Sequence, residues 1–451
     1  MQKHFKYGFI IIGIFLFIGI FMIFLNDSPE STSYSIDLEL DEQGTFHVKA
    51  EIAVTNNSEE AWTDIGFYFV PNALTEKYKP DFMVDSAELK INKITVNDKE
   101  QPYSLNNNIM LVSLDKDLKT KQTSKVMVDY TLNLPIKGNR LSKFFGNYYL
   151  AQWYPMLGDY NSGWVIYDYD ARGESYFTGY GDYEISYMLP KEYFVASSGK
   201  DGEILPSQSG IIKGDKIKDF YLALLDPLEW ESQTEVVQDT ELRVFMPAGK
   251  EDMLVNTSRE AKNIFKFFEE RIGDNPNAEI DLVGNNGNME YPNVMEISDN
   301  EEIYEHILTH ELAHQWFYYL VSNDPYSEAW LDEGIAEFAA SLYLTEKYNE
   351  QVGFEFANRL DNMREPDDIV NKQLHEFENY ITTVYSRAPM KLWSYFRELG
   401  GTEEALNFLS AYYNDNQYKV VDSEVFIDYF NEYFEQDHSS FFEEWIDLNV
   451  Q

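Results

Sequence analysis

Residues 307–321, ILTHELAHQWFYYLV, constrain this chain more than any other stretch. Their only formal charge is Glu311, and they hold two of the chain's seven histidines, His310 and His314. A helix apolar nearly all round must be buried, and a carboxylate taken inside with it needs a partner or a proton. Residues at i and i+4 lie one turn apart on one helix face, so both imidazoles can reach a single point. Zinc takes nitrogen ligands at about 2.0–2.1 Å, and this spacing supplies two of them. Glu311 is rotated about 100° from His310, which places it beside such a metal rather than on it, where it can serve a water. The plain alternative is a pair of core histidines satisfied by hydrogen bonds. That alternative prevails for a single histidine; for two flanking a glutamate in this register, the metal reading is the stronger.

Any metal here must be held by His, Asp or Glu, because the chain has no cysteine. The same absence excludes disulfides and a cysteine nucleophile. A third ligand follows at Glu333, on a second helical pattern, SEAWLDEGIAEFAASLY. The intervening chain is long enough to end one helix, turn through NDPYS and return past the metal. A formal net charge of −43 excludes nucleic acid as a natural partner, since phosphates would be repelled.

The 451 residues divide by pattern. Residues 1–7 carry Lys3 and Lys6, and residues 8–25 are uncharged and apolar, close to the length that spans a bilayer as a helix. The lysines predict a cytoplasmic N-terminus, and without a small-residue cleavage pattern the segment is expected to stay as a signal anchor. With residues 26–34 as a linker, the expectation is a single-pass cell-membrane protein whose catalytic domain is extracellular. Residues 35–235 read as short alternating runs such as TFHVKAEIAVT and SKVMVDYTLNL, which predict an all-β domain. Residues 236–451 open with one more strand, continue through the amphipathic MLVNTSREAKNIFKFFEERIG, and become mainly helical. The whole is an α+β multidomain chain.

HELAH followed by WLDEGIAEF is similar to the zinc signature of the aminopeptidase N-like gluzincin family. The resemblance implies an N-terminal β-sheet domain and a thermolysin-like, largely helical zinc-peptidase domain. It implies one Zn2+ per chain on His310, His314 and Glu333, with Glu311 as general base. Glu337, one turn past Glu333, is then a partner of a ligand histidine. GNMEYP, residues 287–292, resembles the family's G-x-M-E-N segment, an edge strand lining the substrate cleft. That assigns Gly287 and Met289 to substrate binding and Glu290 to the substrate's free α-amino group; Tyr291 stands where the family has Asn. VYSRAPMKLW resembles the Y-x-K-G-A segment, which makes Tyr385 the donor to the developing oxyanion, with Arg387 and Ala388 in place of Lys and Gly. AQWYPMLGDYNSGW resembles the β domain of bacterial members and offers Gln152 as a cleft-lining residue.

The implied activity is a zinc aminopeptidase acting on peptides with a free N-terminus. Too little chain follows Tyr385 for the helical roof of larger relatives, so a more open cleft and a thermolysin-like endopeptidase form the alternative. Epoxide hydrolysis, as in the leukotriene hydrolases, is another use of the same scaffold. A catalytically inactive binding or sensing ectodomain is the third, and the presence of all three ligands, the base and the tyrosine weighs against it. The residue preference, the physiological substrate and the oligomeric state are open at this level.

Overall fold

In the computed structural model, which describes residues 32–300, 304–360 and 365–448, strict alternation builds the first half. Thr32–Leu40 and Thr45–Thr55 pair antiparallel, with Ile36, Leu38, Phe46, Val48 and Ile52 turned inward and the intervening charges outward. Thr123–Asn133 and Glu88–Val96 extend the sheet on one side, and the long strand Gly181–Ser197 joins in parallel on the other, within a sheet of ten strands. A four-stranded sheet carrying Trp62–Tyr68 and Ile109–Leu118 covers its inner face, and Ile65, Phe67, Met110 and Val112 enter the shared core.

A second sheet of five strands follows, in the order Trp230–Val237, Thr240–Pro247, Glu279–Val283, Val294–Glu296, Met289–Tyr291. Thr240–Pro247 and Glu279–Val283 are parallel, so the chain must cross over between them, and it does so through helix α1 (Glu251–Arg271). One face of α1 buries Leu254, Ala261, Ile264, Phe265 and Phe268. Helices α2 (Tyr304–Ala313), α3 (Ile335–Lys347), α4 (Glu350–Ala357), α5 (Ala388–Leu399), α6 (Gly401–Asn416) and α7 (Ser423–Tyr433) pack around α1 in one apolar core.

Residues 308–321 are buried, but only part of them is helical. Helix α2 ends at Ala313, and the chain then tightens into i→i−3 bonds, Gln315 N–H to the Leu312 carbonyl and Trp316 N–H to that of Ala313. Tyr318 takes a positive φ of 106° and turns the chain back, so that Phe317 and Val321 form a bridge. A stretch apolar on every side has no period to mark where the helix stops.

The expected membrane segment, residues 8–25, lies outside the described residues. Among those described, no helix is long and apolar enough to cross a membrane. The longest, α1, spans 21 residues but carries acidic and basic side chains along its outer face. The expectation of a single-pass membrane protein with an extracellular catalytic domain is therefore corrected: the folded chain supplies no span to support it.

Two contacts join the sheets of the two halves. Tyr149, Ala196, Tyr221 and Ala223 of the first half close on Phe245, Val283, Tyr291 and Val294 of the second. Beside them the buried Arg243 makes a two-pronged pair with Asp281 at 2.6 Å for both bonds, and also reaches Asp201 and the Gly202 carbonyl across the boundary. Glu279 accepts from the Asp201 N–H at 3.0 Å and lies 3.2 Å from the same guanidinium. Three carboxylates on one guanidinium leave an excess of buried negative charge. Burial, with the charge of Asp201, pushes Glu279 up to about 8 against the pull of Arg243. A carboxyl raised on folding contributes stability at low pH that is lost as pH climbs through its folded value. The melting temperature is expected to fall between about pH 4.5 and 8, and Glu279→Gln to flatten that fall in differential scanning fluorimetry.

Candidate metal centre and active site

The two histidines meet at the C-terminal end of α2. His310 and His314 present their Nε2 atoms 3.0 Å apart. Glu333 Oε2 completes a triangle, 3.0 Å from His310 Nε2 and 3.2 Å from His314 Nε2. Glu333 lies in a π-helical turn, Trp330–Gly334, that leads into α3. The extra residue in such a turn re-aims a side chain relative to the helix that follows.

The far side of each ring is also held. His314 Nδ1 lies 3.0 Å from Asp332 Oδ1 and 3.3 Å from the Phe317 carbonyl oxygen. His310 Nδ1 lies 2.9 Å from Glu337 Oε2, and Glu337 pairs in turn with Arg359. Carboxylates at both Nδ1 atoms favour protons there and leave the Nε2 lone pairs facing Glu333. Burial would raise the Glu333 carboxyl, but hydrogen bonds and charge from both histidines pull it well below the usual carboxylate range. Burial pushes Asp332 up to about 7, against the pull of His314.

Glu311, one residue past His310, is buried, and its Oε2 has no hydrogen-bond partner. Burial pushes its carboxyl up to about 7, with His310 and His314 opposing. Tyr385 lies in a second π-helical turn, Thr383–Arg387, ahead of α5. Its hydroxyl donates to Glu333 Oε1, and its ring centroid is 5.6 Å from that of His310.

Glu290 sits on the edge strand Met289–Tyr291, and Gln315 ties that strand to the end of α2. Gln315 Oε1 accepts from the Asn293 N–H at 2.9 Å, while its Nε2 donates to the Tyr291 carbonyl at 3.2 Å. The tie places Glu290, buried, beside Glu311 and His314, one ligand atom of each lying within 4.8 Å of the others. A second carboxylate faces Glu290 from the other half of the molecule. Glu174, on the irregular segment before Gly181–Ser197, brings an oxygen within 4.8 Å of both Glu290 and Glu333. Burial and then the Glu174 charge push the Glu290 carboxyl well above its ordinary range.

The remaining expected residues differ in place. Gly287 is exposed in the turn before the edge strand, where a Cβ would fall 2.0 Å from Glu296 Oε2, so the turn requires glycine. Met289 is half-buried against the aromatic contact between the halves. Gln152 spends its amide on residues of the β half. It is buried within the first half, donating to Asp219 at 2.9 Å and to the Tyr176 hydroxyl at 3.2 Å.

Four residues that the sequence reading passed over belong to the site: Glu174, Gln315, Asp332 and Tyr380, whose ring lies 6.1 Å from that of Tyr385. Gln315 and Asp332 adjoin His314 and Glu333 in sequence, which is a usable signal. Glu174, in RGESYF, has no periodic or spacing cue at all.

Residues 282–445 match the model of the peptidase family M1 domain. That stretch holds His310, Glu311, His314, Glu333 and Tyr385. Leucine aminopeptidase 2 of Candida albicans is 25% identical over 179 residues, which cover 33% of this chain and 29% of that protein. Aminopeptidase N of Oryctolagus cuniculus is 37% identical over 84 residues, 19% of this chain and 7% of that protein. The chain thus spans less than a third of the length of the curated relatives it matches. Over nearly its whole length it shares the fold of an M1 zinc metallopeptidase from Deinococcus radiodurans, with a TM-score of 0.65 at 15% identity, covering 93% of this chain and 94% of that one. Leukotriene A4 hydrolase of Saccharomyces cerevisiae gives 0.65 at 13% identity, covering 94% and 70%.

Zinc is the cofactor that the M1 domain match implies, and the residues fit it. Ligands at 2.0–2.1 Å in a tetrahedron lie about 3.3 Å from one another. The three donor atoms found here are separated by 3.0–3.2 Å and are buried. One zinc per chain is expected by elemental analysis, and chelation is expected to lower the melting temperature. Asp332→Asn should weaken zinc about 10–100-fold in competition with a chromophoric chelator, while His314→Ala should abolish stoichiometric binding.

Proposed function

We propose that this chain is an aminopeptidase of the M1 type, hydrolysing the first peptide bond of substrates with a free N-terminus. The observation that carries the reading is the pair of buried carboxylates, Glu174 and Glu290, gathered beside the zinc-ligand triangle. Two carboxylates that close to each other are costly to ionise unless a cation joins them. A substrate α-ammonium is such a cation, and pairing it there sets the first peptide bond over the triangle and Glu311.

The chain's own groups then supply the remaining steps. His310, His314 and Glu333 hold zinc, which when bound acts as a Lewis acid toward the scissile carbonyl and an attacking water. Glu311 accepts a proton from that water as the water oxygen bonds to the carbonyl carbon. The same carboxyl then delivers the proton to the departing nitrogen as the C–N bond breaks. Its unpartnered Oε2 and its place next to His310 support this role. The Tyr385 hydroxyl donates to the carbonyl oxygen as negative charge develops on it, exchanging Glu333 for the substrate as its acceptor. Burial keeps that hydroxyl protonated far above neutral pH, as a donor requires.

The test is one peptide offered with a free and with an acetylated N-terminus, its products followed by mass. Stepwise loss of N-terminal residues from the free form alone, abolished by chelator, is expected. Glu311→Gln should lower kcat about 10²–10⁴-fold with zinc content unchanged. Tyr385→Phe should lower kcat about 10²–10³-fold with little change in KM. Equal internal cleavage of both peptides would make the enzyme an endopeptidase and remove the role assigned to Glu290.

A further inference from the structure

The carboxylate pair is asymmetric. Glu290 comes from the catalytic half and has three acidic neighbours, Glu174, Glu311 and Glu333, whereas Glu174 is held by a guanidinium. Arg140 Nη1 lies 2.5 Å from Glu174 Oε1, with the arginine side chain 13% exposed and the glutamate 3%. Arg140 stands on the connection between Thr123–Asn133 and Ser142–Phe144, not on a sheet or helix. Its backbone is left-handed, at φ 61°, as is that of Lys137 at φ 52°. Non-glycine residues accept that conformation at a cost, and two in one short connection must be held by their surroundings. One such hold is Asn139, whose side-chain amide donates to the Tyr169 hydroxyl at 2.8 Å. The loop thus turns a cation inward, and its nearest charged partner is Glu174, with Tyr176, Tyr291 and Glu290 next around it.

We infer that Arg140 is the positioning residue of the amine subsite: it fixes Glu174 by one oxygen and leaves the other to the substrate ammonium. This rests on the aminopeptidase reading. Two carboxylates and one guanidinium leave a single net negative charge, which one ammonium neutralises. Without the guanidinium the pocket would hold two uncompensated carboxylates, and Glu174 would lose the contact that sets its side chain. Arg140 acts only through Glu174, on ground-state placement of the N-terminus and not on the proton transfers at Glu311.

The experiment is a double-mutant cycle on the zinc-loaded enzyme, with steady-state kinetics on the free and acetylated peptides. The variants are Arg140→Met, Arg140→Lys, Glu174→Gln and the double variant Arg140→Met/Glu174→Gln, each checked for zinc content and melting temperature. Arg140→Met is expected to raise KM for the free peptide about tenfold, the order of a lost charge-assisted contact, with kcat within about twofold. Arg140→Lys is expected to recover most of that loss. The double variant is expected to be no worse than Glu174→Gln alone. Additive losses, a fall in kcat instead of a rise in KM, or a kinetically silent Arg140→Met would overturn the inference while leaving the aminopeptidase intact. Wild type cleaving both peptides equally would overturn the aminopeptidase reading and this inference together. Should Arg140→Met fail to fold, Arg140→Gln with and without Glu174→Gln closes the same cycle, because glutamine removes the charge but keeps a polar side chain in the loop.

Discussion

Two imidazole nitrogens and a carboxylate oxygen, all buried and all within 3.2 Å of one another, form the constraint to which the rest of the catalytic half answers. Lone pairs pointed at one another repel unless a cation lies between them. The fold accepts that arrangement by fixing each ring from behind with a carboxylate, Asp332 for His314 and Glu337 for His310, and by balancing Glu337 with Arg359. These outer groups are anchored in α3 and the turns beside it, so the triangle is as rigid as the apolar core that α2 and α3 share.

The other groups reach the triangle through backbone ties from more distant elements. Gln315, directly after the second histidine, holds the edge strand of Glu290 by both ends of its amide. Tyr385 is placed by its own helical turn and registers against Glu333. Glu174 arrives from the β half, whose position is set by the aromatic contact around Tyr221 and by the Arg243 cluster. The site is therefore complete only when both halves are folded and joined, although the triangle of His310, His314 and Glu333 lies in one of them.

That division explains what could be read in advance. His310, His314 and Glu311 were legible because helical spacing converts sequence distance directly into spatial distance, and Glu333 because a second helical pattern followed at a workable interval. The alternating strands were legible for the same kind of reason, period two giving one inward face. Glu174 was not, since the irregular segment carrying it has no period and the carboxylates it meets, Glu290 and Glu333, lie more than a hundred residues away. Gln152 was read as cleft-lining from a stretch that resembles the family's β domain, and its amide is spent on Asp219 and Tyr176, contacts that no sequence spacing announces. The end of α2 was missed because apolar residues surround the chain on both sides of the turn at Tyr318.

The two π-helical turns carry a consequence for how this protein can vary. Each holds one residue more than an α-helical path needs, and each displays a side chain at the metal site, Glu333 in one and Tyr385 in the other. Dropping a single residue from either turn would restore the better hydrogen-bonded α-helix and swing the following backbone by about 100°, carrying the functional side chain away. At those two points a shorter chain would be the more comfortable helix and the poorer site, so local stability and the geometry of the site favour opposite lengths.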